Sequence, residues 1–254
     1  MTIRRSVWEW SLDYVGDPRT WSQRGERIVE FLKENGLTSQ SRVLEIGCGN
    51  LSQGKPLIEF LAPGHFCGVE PNGWLVEAAL DRFPALESQA PRFAWNTDFD
   101  ATGLDTDFDI ILAHSVLSHA AHWQLAQLLA ATRNVVDEGA LFLCSFRRGQ
   151  VNSLAEEWTY PGVTQFRIET IQAAGTHAGW HVELVHEYRE RLLEVAPNDG
   201  HDWLRMRAVA RPAELNEFRL VEEERYNEEQ RKHDADERAR RMAHETAEAD
   251  AGLL

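Results

Sequence analysis

The run Val43-Leu44-Glu45-Ile46-Gly47-Cys48-Gly49-Asn50 constrains this chain more than any other stretch. Its first four residues, apolar but for one glutamate, predict a short buried strand. Two glycines spaced two apart follow directly, and they predict a strand-to-helix turn whose main-chain N–H groups approach a ligand that a Cβ would block. The turn is neither of two familiar phosphate-gripping forms. A dinucleotide fingerprint needs G-x-G-x-x-G/A, whereas Ser52 occupies the third position and Gly54 comes two residues late. A P-loop needs Gly-Lys-Ser/Thr, which does not follow.

Short apolar runs alternate with helical stretches on either side of this turn. RVLEI, HFCGVE, RFAWN, FDIILAH and ALFLCSF read as strands. SQRGERIVEFLKENGL, KPLIEFLA, NGWLVEAALDRF (with Asn72 as its cap), HWQLAQLLAATRNVV and ETIQAAGTHAG read as helices. WHVELVHEY and DWLRMRAVA predict two further strands joined by a tight Pro197-Asn198-Asp199-Gly200 turn, hence an antiparallel hairpin at the sheet edge. The expected fold is α/β: a doubly wound, mostly parallel seven-stranded sheet with helices on both faces and a C-terminal antiparallel edge hairpin.

Three parts are expected. Residues 1–22 form an aromatic-rich arm or lid, 23–211 the α/β domain, and 212–254 a charged helical or disordered tail. The tail holds 13 acidic and 7 basic residues, with helix-supporting pairs such as Glu228–Lys232 and Glu237–Arg241 but no heptad seam. It reads as a solvated face, with partner binding or self-association as the alternative.

The net charge of −15 argues against nucleic acid and anionic membranes as partners, since both would repel it. Cys48, Cys67 and Cys144 are scattered among apolar or glycine neighbours with no zinc spacing, so they read as small buried hydrophobes in a reducing compartment. MTIRRSVWEWSLDY lacks the apolar core of a signal peptide, and no apolar run reaches membrane-spanning length, so a cytoplasmic protein is expected. DFDATGLDTDFD mimics a calcium loop, but it lacks flanking helices and has Asp109 where a bidentate Glu belongs.

Glu70 ends the second strand, where a carboxylate accepts hydrogen bonds from both hydroxyls of a ribose. Asp98 follows the third strand, where a base edge would lie, and Phe99 beside it offers a ring for stacking. Taken in order, VLEIGCGN, GVEPN, NTDFD, FDIILAHSVLSH and DEGALFLCSF resemble the class I S-adenosylmethionine-dependent methyltransferases over roughly residues 21–210. The resemblance implies S-adenosylmethionine as cofactor and implies cofactor roles for Glu45, Gly47, Gly49, Glu70, Asp98 and Phe99. From the arm it adds Tyr14, Trp21 and Arg24, because the family often closes such a segment over the ligand.

AHSVLSHAAH places His114, His119 and His122 at the end of the fourth strand. Their spacing is poor for one helical face and no carboxylate is interleaved, so no metal is expected. The resemblance puts His119 in the methyl-transfer pocket, and His114 lies one step beyond the strand. A neutral imidazole there takes a proton from an attacking hydroxyl or amine, so both are catalytic candidates, while His122 reads as exposed. Arg147 and Arg148 follow the fifth strand, where the substrate-facing loop runs on through Trp158 and Tyr160, and a carboxylate or phosphate would suit them. The function expected is methyl transfer to an O- or N-centre of a small molecule. Two alternatives stand beside it: an inactive cofactor-binding scaffold working through its tail, and a protein or RNA methyltransferase.

Overall fold

The computed structural model describes residues 6–15, 19–104 and 107–210, so the predicted tail at 212–254 lies outside the described residues. Seven strands form one sheet: β1 (Val43–Ile46), β2 (Phe66–Val69), β3 (Arg92–Ala94), β4 (Ile110–Ala113), β5 (Leu141–Phe146), β6 (Trp180–Leu184) and β7 (Asp202–Ala208). Their order is β3-β2-β1-β4-β5-β7-β6. The first five are parallel to their neighbours, and β7 runs antiparallel to both β5 and β6.

The central strands β1, β2, β4 and β5 are buried along their whole length and almost wholly apolar, because both faces are covered. Leu44, Ile111, Ala113, Phe142 and Cys144 point into one core with Leu125, Leu128 and Leu129. Val43, Ile110, Leu112, Leu141 and Leu143 point into the other with Ile28, Phe31, Leu32 and Leu57. This period-two division is the pleat of a doubly covered sheet. The covering helices are α2 (Trp21–Glu34), α3 (Gly54–Phe60), α4 (Gly73–Arg82), α5 (His122–Arg133) and α6 (Ile168–Ala178).

An eight-residue helix, α1 (Val7–Tyr14), precedes them. Ser6 and Glu9 form a reciprocal cap: the Glu9 N–H donates to Ser6 Oγ at 3.3 Å, and the Ser6 N–H to Glu9 Oε2 at 2.6 Å. Trp8 docks this helix, lying edge-on to Trp21 and to Phe83 with ring centroids 5.3 Å apart in each case.

Three expectations are corrected. β6 and β7 pair antiparallel, but a further helix, α7 (His186–Leu193), separates them, and β7 sits inside the sheet between β5 and β6. The strand alternation of WHVEL stops at Val185. From there Val185, Tyr188 and Leu192 are buried at helical spacing, which a strand reading of HEY overlooks. Pro197–Gly200 therefore belongs to a loop entering β7 and not to a tight hairpin. Asn72 does precede α4, but its side chain makes no cap hydrogen bond and instead donates to Glu70 Oε1 at 3.1 Å. Among the described residues no helix is long and apolar enough to cross a membrane.

Adjacent strands β1 and β4 are the point from which the order runs both ways. In such sheets the crevice beyond the strand C-termini at that point is where ligands bind.

Candidate active site

The glycine loop leaves β1 at this crevice. Gly47 and Gly49 have φ of +68° and +50°, a region that L side chains avoid. A Cβ on Gly47 would lie 2.7 Å from Val116 Cγ2, and one on Gly49 would lie 3.1 Å from Val15 Cγ1 at the end of α1. Both glycines are therefore needed for conformation and for space.

Glu70 locks the loop from β2. Its Oε2 accepts the Gly49 N–H at 3.0 Å, and its Oε1 accepts the Asn72 N–H at 2.9 Å. Burial pushes its carboxyl up against the pull of those bonds. Glu45 is 1% exposed and lies beneath the loop, close to Gly54 of α3. Burial first, and the negative charge of Glu70 second, raise its carboxyl well above the usual range. Glu45 thus lies buried beneath the loop and does not line the cavity.

The polar residues after Gly49 fasten the helices. Asn50 Oδ1 accepts from Trp21 Nε1 at 2.7 Å, Asn50 Nδ2 donates to Ser11 Oγ at 3.3 Å, and Ser52 Oγ donates to the Trp21 carbonyl at 2.9 Å. Trp21 is accordingly a clamp between α1, α2 and the loop, stacked on Phe83, and it does not line the cavity. Arg24 is buried and does line it. Tyr14 lies outside, 5.0 Å from the Tyr160 ring and 5.5 Å from Trp74, where it ties α1 to the segment after β5.

Asp98 is exposed beyond β3. Phe99 corrects the expectation of a free stacking ring: its φ is +64°, it is 7% exposed, and it packs in the core with Leu104 and Phe108. The exposed ring beyond β3 is Trp95, stacked on Phe93 at 5.7 Å.

A cavity of about 270 Å³ joins the glycine loop at Gly47 and Cys48 to the histidine segment after β4. The three histidines of that segment do not converge. His122 starts α5, its Nδ1 3.4 Å from the Ala155 carbonyl. His119 donates its Nδ1–H to the Gly162 carbonyl at 2.7 Å, which leaves Nε2 as the lone-pair nitrogen, 3.4 Å from Ser115 Oγ. Trp158 and Tyr160 flank its ring. Burial, above all, lowers the His119 pKa, and the positive charge of Arg147 adds to this, so the ring is a neutral base at pH 7.

His114 is spent on a different task. Its Nε2 faces Asp199 Oδ2 at 3.4 Å, its Nδ1 lies 3.0 Å from Ser145 Oγ, and its ring stacks on Trp203. Burial lowers its pKa to about 4 against the opposing pull of Asp199. A neutral ring donating from Nε2 to Asp199 and accepting from Ser145 has no lone pair left. His114 is therefore a positioning residue, which corrects its assignment as a second base.

Asp199 bridges His114 and His201, whose Nδ1 is 2.7 Å from Asp199 Oδ1. Burial pushes the Asp199 carboxyl up, but hydrogen bonds from the two histidines outweigh it and hold the group well below the usual carboxylate range. One ligand atom each from His114, Asp199 and His201 lies within 4.8 Å of the others, the spacing of a metal-capable set. The closed His201–Asp199 bond, and the Arg24 and Arg147 guanidiniums lining the same cavity, favour a hydrogen-bonded relay over a bound dication. Sequence reading missed Asp199 and His201. The signal was the polar PNDGH run before β7, read only as a turn.

Residues 44–142 match the family model of a methyltransferase domain. No curated protein sequence matches the chain. Among solved structures, S-adenosylmethionine-bound CalS10, an amino pentose methyltransferase from Micromonospora echinaspora, superposes with a TM-score of 0.56 at 14% identity, covering 82% of this chain and 99% of that one. Magnesium protoporphyrin IX methyltransferase from Synechocystis PCC 6803, with bound S-adenosylhomocysteine, gives 0.54 at 13% identity, covering 74% and 83%. The [4+2]-cyclase SpnF gives 0.54 at 15% identity, covering 73% and 82%. At these identities the likeness is one of fold, and a cyclase among the neighbours shows that fold alone does not name the reaction.

Proposed function

With a methyltransferase domain at residues 44–142 on the class I methyltransferase fold, we propose that this chain uses S-adenosylmethionine to methylate an O- or N-centre of a small molecule. The observation that carries the reading is one shared cavity. It places the glycine loop at Gly47 and the His119 base within a single space.

The residues present fit the cofactor. The positive-φ glycines leave a backbone cradle, and the Glu70 carboxylate beside it, which accepts from Gly49 at Oε2 and twice from Asn72 at Oε1, keeps one acceptor position on Oε2 for a ribose hydroxyl. Arg24 lines the cavity beside the glycine loop, where a guanidinium suits an amino-acid carboxylate. When bound, S-adenosylmethionine supplies an electrophilic methyl group on a cationic sulfur.

The chain's own residues do the rest. His119 Nε2 removes the proton from the acceptor hydroxyl or amine, and the Gly162 carbonyl holds the tautomer that makes this possible. Asp199, His114 and His201, tied to one another by hydrogen bonds, line the same cavity, and Tyr14 of α1 packs against Tyr160, which also lines it. Alignment of the acceptor inside such a cavity contributes to rate independently of the base.

Release of S-adenosylhomocysteine by the full chain, measured against a panel of small hydroxy and amino compounds, peptides and RNA, tests the reading. Turnover with members of the small-molecule panel alone is expected. Turnover confined to peptide or RNA would replace it with a macromolecular acceptor.

A further inference from the structure

Two arginines follow β5, and the structure separates them. Arg148 is an exposed partner of Asp202, its Nε 3.3 Å from Asp202 Oδ2. Arg147 turns into the cavity, and among the described residues its side chain makes no hydrogen bond or ion pair, although its Nε is fully buried. A buried N–H donor without a partner is costly, and on a half-buried guanidinium that borders a cavity it calls for an acceptor, best an anion.

Its position is built by a neighbour. A Cβ on Gly200 would lie 2.0 Å from Arg147 Nη1, so only glycine at 200 leaves room for the guanidinium. Gly200 is not among the positive-φ glycines, so its backbone conformation does not demand glycine. The Arg147 main chain is pinned as well: its carbonyl accepts the Phe166 N–H at 2.9 Å.

Taking the methyltransferase reading as its basis, we infer that Arg147 recognises a carboxylate on the methyl acceptor. S-adenosylmethionine carries one carboxylate, and the cavity has two guanidiniums. Arg24 precedes Gly25, where α2 packs directly on Ser52 and Gln53 of the glycine loop, whereas the charge of Arg147 acts on His119 and its guanidinium abuts Gly200. The second cation therefore faces a second anion, on the side where the base waits. A carboxylate fits better than a phosphate dianion. Only one guanidinium is available, because Arg148 is committed to Asp202, and the Asp199 carboxylate borders the same cavity and would repel a second negative charge. The acceptor is thus a hydroxy or amino acid in the broad sense, anchored by its carboxylate with its nucleophile toward His119 Nε2.

The test uses the full chain saturated with S-adenosylhomocysteine and follows the Arg147 Nε–H resonance, identified by its absence in Arg147→Gln. Acetate is expected to shift it saturably at constant ionic strength, and acetamide to leave it unmoved. Gly200→Ala is expected to weaken the acetate response about tenfold or more by displacing the guanidinium, and Arg148→Gln to leave it intact. S-adenosylhomocysteine affinity stays unchanged in all three variants. Failure of acetate to shift the resonance, equal effects of acetamide, tighter binding of inorganic phosphate than acetate, or loss of the response in Arg148→Gln would overturn the inference while leaving methyl transfer intact. Failure of the wild-type chain to bind S-adenosylhomocysteine would overturn both readings, which separates the two cases.

Discussion

His119→Ala is expected to lose roughly 10²–10⁴-fold in kcat, the usual contribution of a positioned general base, with S-adenosylhomocysteine affinity nearly unchanged. The expectation rests on the tautomer. With Nδ1–H held by the Gly162 carbonyl, the Nε2 lone pair is the one available to an acceptor proton. The sign of the pH dependence follows from the environment. Burial lowers the His119 pKa below its ordinary 6.5, so the ring stays neutral through pH 7, and kcat/KM falls only on acidification below that ordinary value. The alanine variant removes this acid limb along with the rate. Near-normal turnover with the limb intact would take His119 out of the mechanism and leave alignment as the main source of rate.

Glu70→Ala is expected to act on the cofactor, weakening S-adenosylmethionine binding by about 100-fold or more. The hydrogen bond from a ribose hydroxyl to the carboxylate is lost, at about 1.5–3 kcal/mol. The Gly49 and Asn72 N–H groups also lose their acceptor, so the loop itself loosens. Glu70→Gln, which keeps the shape and one acceptor oxygen, falls between the two. Calorimetry reads the effect directly, and unchanged affinity in the alanine variant would remove Glu70 from the binding site.

Much of this architecture was legible from pattern. Short runs of mostly apolar residues marked the doubly covered strands, and Ile28, Phe31 and Leu32 marked the buried face of α2. The glycine loop and Glu70 were legible as well, because close backbone approach and a strand-end carboxylate leave local signatures. What escaped was non-local. Asp199 and His201 lie far along the chain from His114, and only the placement of β7 beside β5 carries their loop to the end of β4. Arg147 and Arg148 are equivalent in sequence, and the Asp202 partner that separates them comes from the same distant strand. Phe99 looked like a free ring because its left-handed backbone, which turns it into the core, leaves no mark on the residues around it. The α7 helix was hidden by a strand alternation that ended one residue before it.

Calorimetric titration of the full chain with S-adenosylmethionine, S-adenosylhomocysteine and NAD tests cofactor choice most directly. Micromolar binding of the two sulfur ligands, and none of NAD, is the predicted result, because the loop has Ser52 where a pyrophosphate-gripping turn needs glycine or alanine. Binding of NAD with no response to either sulfur compound would contradict the methyltransferase reading at its root.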